Sequence, residues 1–171
     1  ADVIVVDPSI ERLRRLDELF AGAIGTRHAT TGMIEALVPK ADLLIGAALV
    51  PGARTPRLVS REWLARMQPG AVLVDVSIDQ GGCFETSHPT THADPTYVVD
   101  GIVHYCVANM PGAVARSSTF ALNNATLPFI LALADKGVQR ALADDPHLAA
   151  GLNLQGGKVA HPAVAAALEG V

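Results

Sequence analysis

The sequence predicts an α/β protein with a doubly wound, mainly parallel sheet. Up to about residue 112, short runs rich in Val and Ile alternate with amphipathic stretches, which is typical of parallel strands joined by crossover helices. Aromatic residues make up only 4% of the 171 residues and hydrophobic residues 50%. The core must therefore be built from Val, Ile, Leu and Ala side chains. The net charge of −4 offers no basic surface for nucleic acid or an anionic membrane.

The apolar runs and their flanking residues predict the order of the elements. Ser9 and Ser60 are predicted helix N-caps, and Gly22 and Gly25 are predicted to end the first helix. The predicted strands cover residues 2–7, 43–46, 71–76, 97–100 and 102–108. The predicted helices cover residues 10–20, 31–40 and 60–67.

The chain changes character near Pro111. We predict a boundary at residue 112, with residues 1–112 forming the sheet domain. Residues 113–171 are then a helical segment, with helices over 118–138, 138–148 and 162–168.

The two cysteines and the hydropathy pattern indicate the compartment. Cys83 and Cys106 do not form a disulfide framework, which favours a reducing environment. No apolar run approaches the roughly 18 residues that span a membrane. We therefore expect a cytoplasmic protein.

Asp7 is the first candidate binding residue. An acid at the end of the second strand of a dinucleotide-binding fold accepts hydrogen bonds from the adenosine ribose, and its charge repels the extra phosphate of NADP. An acid in this position is also a common helix cap. The glycine-rich loop that precedes such a strand is absent, so either this is not a dinucleotide domain or its first β–α unit is missing.

The segment DVSIDQGGCFETSHPTT, residues 75–91, concentrates polar residues and glycines after a predicted strand. Ligands of open α/β sheets bind beyond the carboxyl ends of the strands, where paired glycines let the backbone approach a cofactor. Asp79 would then orient a ribose or a substrate group. The alternative is a surface loop in which Asp79 only forms a turn.

The same segment contains residue types that bind metals. Cys83, His88 and His92 have a spacing that matches no closed zinc pattern, and no fourth ligand is evident, so no metal is predicted. His104 and Cys106 alternate in a predicted buried strand, where a hydrogen-bonded histidine and a packed thiol are the ordinary interpretation.

Two blocks, IDQGGCFE at residues 78–85 and HYCVANMPGAV at residues 104–114, resemble alanine dehydrogenases, and the resemblance extends over nearly the whole chain. It implies the C-terminal portion of such an enzyme, with a Rossmann-like sheet that lacks its first β–α unit. The related proton-pumping transhydrogenases share the fold but differ in these blocks.

The resemblance also implies roles for individual residues. Asp7 would bind the adenosine ribose, and Asp79 would lie at the nicotinamide ribose and the reacting centre as the catalytic residue. The other implied cofactor-binding residues are Arg12, Ala48, Leu49, Ile78, Val107, Asn109 and Met110. His88, Ala115 and Ala29 stand where the family usually has Arg, Pro and Ser, so loop geometry and adenosine affinity are expected to differ.

The implied activity is NAD-dependent oxidative deamination of L-alanine to pyruvate and ammonia, in a hexamer. The family's substrate-binding Arg and Lys and its acid–base His belong to a half that is not in this sequence, so these residues alone are expected to be inactive. The alternatives are an inert remnant of such an enzyme, part of a transhydrogenase, or an unrelated binding module that uses Cys83, His88 and His92.

Overall fold

The structure, a computed structural model, describes residues 1–51 and 53–168. The chain divides into two compact units. The first contains residues 1–49 and 55–108, and the second contains the described residues of 50–54 together with those from 109 onward. The structure has the predicted α/β fold, with several corrections to the elements.

The first unit begins with a parallel β–α–β segment. β1 (Ile4–Asp7) pairs in parallel with β2 (Gly25–His28), and α1 (Ile10–Phe20) connects them. Ser9 caps α1 as predicted, because its hydroxyl accepts from the Arg12 backbone N–H. The prediction missed β2. Gly25, which was predicted to end the first helix, is instead the first residue of this strand.

A separate four-stranded sheet forms the centre of the first unit. Its strands are β3 (Leu43–Gly46), β4 (Val72–Asp75), β5 (Thr96–Val99) and β6 (Ile102–Tyr105), in the order β3-β4-β6-β5. β3, β4 and β6 are parallel, whereas β5 runs antiparallel to β6. Hence the sheet is mainly parallel as predicted, with an antiparallel edge strand that the alternation did not predict.

The helices around these strands are short. α2 (Thr31–Leu37) and a 3-10 turn (Val38–Lys40) precede β3 and cover the residues of the predicted helix over 31–40. α3 (Arg61–Leu64) lies between β3 and β4, so the predicted helix over 60–67 is confirmed only in its first turn. Thr30 and Ser60 cap the two α-helices. After β4 the backbone enters a 3-10 turn (Val76–Gln80), where the sequence had predicted that the strand would continue to Val76.

The two faces of the four-stranded sheet differ in burial. One face carries the core, in which Leu73, Ile102 and His104 of the sheet are buried together with Cys83 and Phe84 of the loop after β4. The other face carries apolar side chains that are largely exposed. On this face Leu43 is 55%, Ile45 58% and Val98 64% exposed. The segment after β4 therefore packs against one face of the sheet only.

The second unit is mainly helical. It contains a 3-10 turn (Met110–Val114), α4 (Ala115–Lys136), α5 (Val138–Asp144), α6 (Pro146–Ala150) and α7 (Pro162–Leu168). A small hairpin of β7 (Leu154–Gln155) and β8 (Lys158–Val159) was not predicted. No helix in residues 1–51 and 53–168 combines the length and apolar character needed to cross a bilayer.

Gly46, at the end of β3, makes the closest approach to the segment after β4. A Cβ atom at this position would lie 2.2 Å from Cys83 Sγ and 2.5 Å from Phe84 Cζ. Both of those side chains are buried, so neither can move away without disturbing the core. We expect Gly46→Ala to lower the free energy of unfolding by about 1–3 kcal/mol, measured by urea denaturation.

Gly32→Ala is the matched control. A Cβ at Gly32, in α2, meets nothing within 4 Å, and alanine is the better helix former by up to about 1 kcal/mol. This variant should be as stable as the wild type or slightly more so. Equal losses in the two variants would contradict the steric argument.

Candidate functional site

The buried carboxylate of Asp75 organises the turn that follows β4. Its Oδ1 accepts from the Ser77 backbone N–H at 3.1 Å and the Cys83 thiol at 3.5 Å. Its Oδ2 accepts from the Ser87 hydroxyl at 2.6 Å and from the backbone N–H groups of Cys83 at 2.9 Å and Phe84 at 3.4 Å. One side chain thus holds both ends of the turn that contains Asp79. The sequence analysis did not assign Asp75 a role.

Two glycines close this turn. The Gly81 N–H donates to the Ile78 carbonyl at 2.9 Å, and the Gly82 N–H donates to the Ser77 carbonyl at 3.0 Å. Both glycines have positive φ, +99° and +75°, which L-residues with side chains rarely adopt. The predicted use of paired glycines is therefore a backbone requirement of the turn itself. Ile78 is buried in the core and Asp79 is exposed at the tip.

The turn is also fixed from both sides by backbone hydrogen bonds. On one side, Thr55 N–H donates to the Gln80 carbonyl, Leu58 N–H to the Cys83 carbonyl, and Glu85 N–H to the Val59 carbonyl. The Arg57 guanidinium adds a bond to the Phe84 carbonyl. On the other side, Thr90 pairs in parallel with residues 106–108, which joins the segment that follows the turn to the chain after β6. The tip bearing Asp79 therefore stands on a rigid base.

Two polar atoms beside Asp79 have no hydrogen-bond partner within the described protein. They are Thr55 Oγ1 and Gln80 Oε1, and both atoms are buried. Their residues are joined through the backbone bond from Thr55 to Gln80, 3.0 Å long. Buried polar atoms that the protein does not satisfy are normally satisfied by water or a ligand. The surroundings of Asp79 thus have polar capacity for a bound molecule.

The ends of the parallel strands bring several predicted site residues to one edge. Gly46 pairs with Asp75, and Val74 pairs with Tyr105, so β3, β4 and β6 end at the same edge of the sheet. The residues that follow these ends include Ala48, Leu49, Ile78, Asp79 and Val107. Ser77 strengthens this arrangement, because its hydroxyl donates to the Ala48 carbonyl at 2.7 Å.

Asn109 and Met110 lie at the start of the second unit. Asn109 has a left-handed backbone with φ of +54° and precedes the 3-10 turn that begins at Met110. Their predicted position beside the nicotinamide stays a prediction.

Asp7 ends β1, in the two-stranded sheet. Its Oδ1 accepts from the Ser9 backbone N–H at 2.7 Å, and its Oδ2 lies 3.7 Å from Arg12 Nη1. The Asp7 side chain is 25% exposed and that of Arg12 is 76% exposed. Asp7 therefore binds the backbone N–H of the residue that caps α1 and is not itself the helix cap that was considered as the alternative. The second carboxylate oxygen lies on the exposed side with Arg12, so a ribose role is compatible with this geometry.

The three positions that depart from the family pattern have the following surroundings. The Ala29 N–H donates to the Asp7 carbonyl at 3.1 Å, and Ala115 is the first residue of α4. His88 stacks on the Tyr97 ring, with centroids 3.7 Å apart.

A polar network lies under the turn. The Tyr97 hydroxyl donates to the Thr86 carbonyl at 2.9 Å and accepts from the His88 N–H at 3.0 Å. His104 Nδ1 faces the Ile102 carbonyl at 2.9 Å and its Nε2 faces Thr86 Oγ1 at 2.7 Å. Because a carbonyl only accepts, Nδ1 carries the proton and Thr86 donates to Nε2. Burial lowers the pKa of His104 and raises that of Tyr97, so both groups are neutral near pH 7. The interpretation of His104 as a hydrogen-bonded buried histidine is confirmed.

The residues considered for a metal site have other environments. Cys83 is a buried free thiol, and the exposed His88 is stacked on Tyr97. In the part of the chain that the structure describes, no group of three or more His, Cys, Asp and Glu side chains is arranged to hold a metal ion.

A cleft of about 440 Å³ is lined by residues of α2, α3 and the segment from 57 to 60. None of the predicted cofactor residues lines it, so size alone does not make it the proposed cofactor site. The lining residues are Thr31, Ile34, Arg57, Leu58, Val59, Ser60, Trp63 and Glu85.

Comparison with known sequences identifies the family. Residues 1–162 match the family described as alanine dehydrogenase/PNT, C-terminal domain. The chain belongs to this family. It is 64% identical over 167 residues to an alanine dehydrogenase of Halomonas elongata, covering 98% of the chain and 45% of that protein. It is 56% identical over 169 residues to an alanine dehydrogenase of Mycolicibacterium smegmatis, covering 99% of the chain and 46% of that protein. The chain thus spans slightly less than half the length of these relatives.

Solved structures agree with this assignment. An L-alanine dehydrogenase superposes with a TM-score of 0.84 at 49% identity, covering 99% of this chain and 47% of that one. A transhydrogenase from Sinorhizobium meliloti gives a TM-score of 0.65 at 25% identity, covering 95% and 50% of the two chains. The resemblance to alanine dehydrogenases is therefore confirmed over the whole fold, and the transhydrogenase is the more distant relative. Family membership implies a nicotinamide cofactor.

Because of the Cys83 thiol, the free energy of unfolding is expected to fall as the pH becomes alkaline. Burial, and then the charge of Asp75, raises the pKa of Cys83 from 9.0 to about 12. Above about pH 9 the unfolded chain releases a proton that the folded protein retains. The free energy of unfolding is therefore highest below about pH 9 and falls as pH rises towards 12, by at most about 1.4 kcal/mol per pH unit from this group.

Urea denaturation at a series of pH values between about 8 and 10 measures this slope. At the lower end of that range the tyrosines are still protonated, so they do not contribute to the change. Cys83→Ala should unfold more easily at every pH but with a shallower decline. Parallel declines in the two proteins would show that Cys83 is not the titrating group.

Proposed function

We propose that the protein containing this chain is an NAD-dependent alanine dehydrogenase, which converts L-alanine, NAD⁺ and water into pyruvate, ammonium, NADH and a proton. The observation that carries the proposal is the rigid turn bearing Asp79 at the shared edge of β3, β4 and β6. Relatives up to 64% identical are named alanine dehydrogenases.

The residues present fit a dinucleotide. Asp7 offers a carboxylate at the end of β1, beside the cation of Arg12, which suits a ribose diol next to phosphate. Gly81 and Gly82 have no side chains, so the backbone next to Asp79 is not covered by them. The buried polar atoms of Thr55 and Gln80 add hydrogen-bonding capacity beside the turn. Within the first unit, Ala48, Leu49, Ile78 and Val107 would complete the lining.

Alanine must first lose a proton from its ammonium group; removal of the Cα hydrogen as a hydride from the neutral amine then leaves a positively charged iminium. Water adds to this C=N bond and ammonia leaves, which gives pyruvate. The bound nicotinamide supplies the hydride acceptor. The negative charge of Asp79 would stabilise the developing positive charge and orient the polar groups around it, because fixed charges in a site stabilise charge that forms during reaction. The base of the turn holds this charge in place, so no reorganisation is needed.

The first test is direct. The intact purified protein should produce NADH on addition of L-alanine and NAD, and should consume NADH with pyruvate and ammonium. Absence of both reactions would favour an inert remnant. Hydride exchange between NADH and NADP without alanine would favour the transhydrogenase relationship, which the S. meliloti structure raises as a second candidate.

A homohexamer in the cytoplasm is also part of this proposal, on the family resemblance. Sedimentation of the intact protein tests the assembly.

Asp7 should determine the preference for NAD. In Asp7→Asn the amide oxygen can still accept from Ser9 N–H, while the charge that repels the NADP phosphate is lost. We expect kcat/KM for NAD to fall about 10-fold, since hydrogen bonds to charged groups contribute about 1.5–3 kcal/mol. The ratio of NAD to NADP efficiency should fall as well.

Asp2→Asn, at an exposed carboxylate before the same strand, is the control and should leave both values unchanged. A wild-type NAD/NADP ratio in Asp7→Asn would remove Asp7 from the cofactor site.

Asp79 should affect turnover more than binding. Asp79→Asn keeps the shape but removes the charge, so we expect kcat to fall on the order of 10²-fold. The dissociation constant for NADH, measured by fluorescence, should change by no more than about threefold. Asp94→Asn, which changes an exposed carboxylate in the loop before β5, serves as the control. Unchanged turnover in Asp79→Asn would refute a catalytic role.

A further inference from the structure

Asp75 is a carboxylate inside the protein core whose contacts lead to the proposed site. It ends β4, is 0% exposed, and lies opposite Gly46 in the sheet register. An ionised carboxylate is costly to bury unless its oxygens are satisfied. Here five groups donate to it, all within residues 77–87. Such a residue has a role beyond filling space in the core.

The donors lie on both sides of the exposed tip. Ser77 precedes Ile78 and Asp79, whereas Cys83, Phe84 and Ser87 follow them. The carboxylate therefore closes the loop at its base and sets the path of the backbone between residues 77 and 83. Because this path is only a few residues long, a shift at either end moves Asp79.

Neighbouring residues are adapted to the carboxylate. A Cβ on Gly82 would lie 2.8 Å from Asp75 Oδ2, so the backbone passes against the carboxylate with no room for a side chain. A carboxylate only accepts hydrogen bonds and offers two oxygens for several donors. An asparagine in its place would present an NH₂ group to N–H or O–H donors, so it cannot reproduce the cluster.

We infer that Asp75 is the positioning residue of the site: its carboxylate, through the five donors of residues 77–87, fixes the place of Asp79. The effect of Asp75 on turnover rests on the proposed function. Its effect on the position of Asp79 in the folded chain does not. Asp75 would not touch substrate or cofactor. Its effect on turnover would pass entirely through Asp79.

The structural consequence is tested by hydrogen–deuterium exchange in the intact protein. In Asp75→Asn, the amides of residues 77–84 should exchange at least about tenfold faster than in the wild type. Ser77, Cys83 and Phe84 lose the acceptor that their N–H groups share, and the turn between them is no longer closed. Asp100→Asn is the matched control, since Asp100 is an exposed acid that pairs with Arg61 at the β5–β6 turn. Wild-type exchange of residues 77–84 in Asp75→Asn would overturn the inference.

The kinetic consequence is tested by a double-mutant cycle. A misplacement of about 1 Å can cost on the order of 10²-fold in rate, so kcat of Asp75→Asn should fall by about 10- to 100-fold. In the Asp79→Asn background, the same change should lower kcat by less than about threefold, because the charge that Asp75 positions is already gone. Equal losses in the two backgrounds would show that Asp75 acts independently of Asp79, and would overturn the inference.

Ser87→Ala covers the case in which Asp75→Asn does not fold. It removes the shortest of the five bonds, at 2.6 Å, and leaves four. We expect a fall in kcat of about two- to fivefold, again absent in the Asp79→Asn background, and an unchanged kcat would count against the inference. A wild type without alanine-dependent NADH formation would overturn the proposed function instead, and the exchange measurement would still decide whether Asp75 holds the turn.

Discussion

The arrangement of the site depends on a negative charge placed inside the protein core. Removing an ionised carboxylate from water costs several kcal/mol, which only well-formed hydrogen bonds can offset. At Asp75 the compensation comes from five neutral donors of residues 77–87 and not from a cation. The neighbouring backbone is therefore fixed as strictly as the side chain. The same cluster requires glycine at two positions, because a side chain at Gly82 would collide with the carboxylate and one at Gly46 would collide with the Cys83 thiol.

The sheet supplies the second constraint. Parallel pairing of β3, β4 and β6 brings three strand ends to one edge, which is where ligands of open α/β sheets gather. The segment after β4 then folds back under the sheet and pairs with residues 55–59 and 106–108. In this way residues far apart in sequence become one rigid support for the tip at Asp79.

Much of this fold follows from local sequence. β1, β3, β4 and β6 are apolar and rich in β-branched residues, and Ser9 and Ser60 carry recognisable capping chemistry. β2 was missed because Gly-Thr-Arg-His has no apolar pattern, so only its pairing with β1 makes it a strand. The direction of β5 was missed because it depends on the turn at Asp100 and Gly101, where both residues have positive φ.

The sequence indicated a candidate site after β4, but it did not indicate how the turn there is built. Glycines after a strand indicated the turn, and the resemblance to a family indicated Asp79. Asp75 was passed over because a strand-ending acid has many ordinary explanations. A signal was present in hindsight: an acid between Val74 and Val76, followed two residues later by Ser77, has the spacing of a side chain that bonds its own backbone. The long-range donor Ser87 had no such signal, because its contact exists only after the chain folds back.

The two sulfur atoms beneath the turn connect its rigidity to oxidative damage. Cys83 and Cys106 are fully buried, and Cys83 is held as a thiol while oxidants react with exposed thiolates. Peroxide can reach either sulfur only after the overlying segment has opened. Oxidation to a sulfenic acid would then place a bulkier polar group against Asp75 or Tyr97 and prevent reclosure. A thiol can reverse that first step, whereas further oxidation to a sulfinic acid cannot be reversed in this way, so only an opening long enough for both steps would damage the site for good.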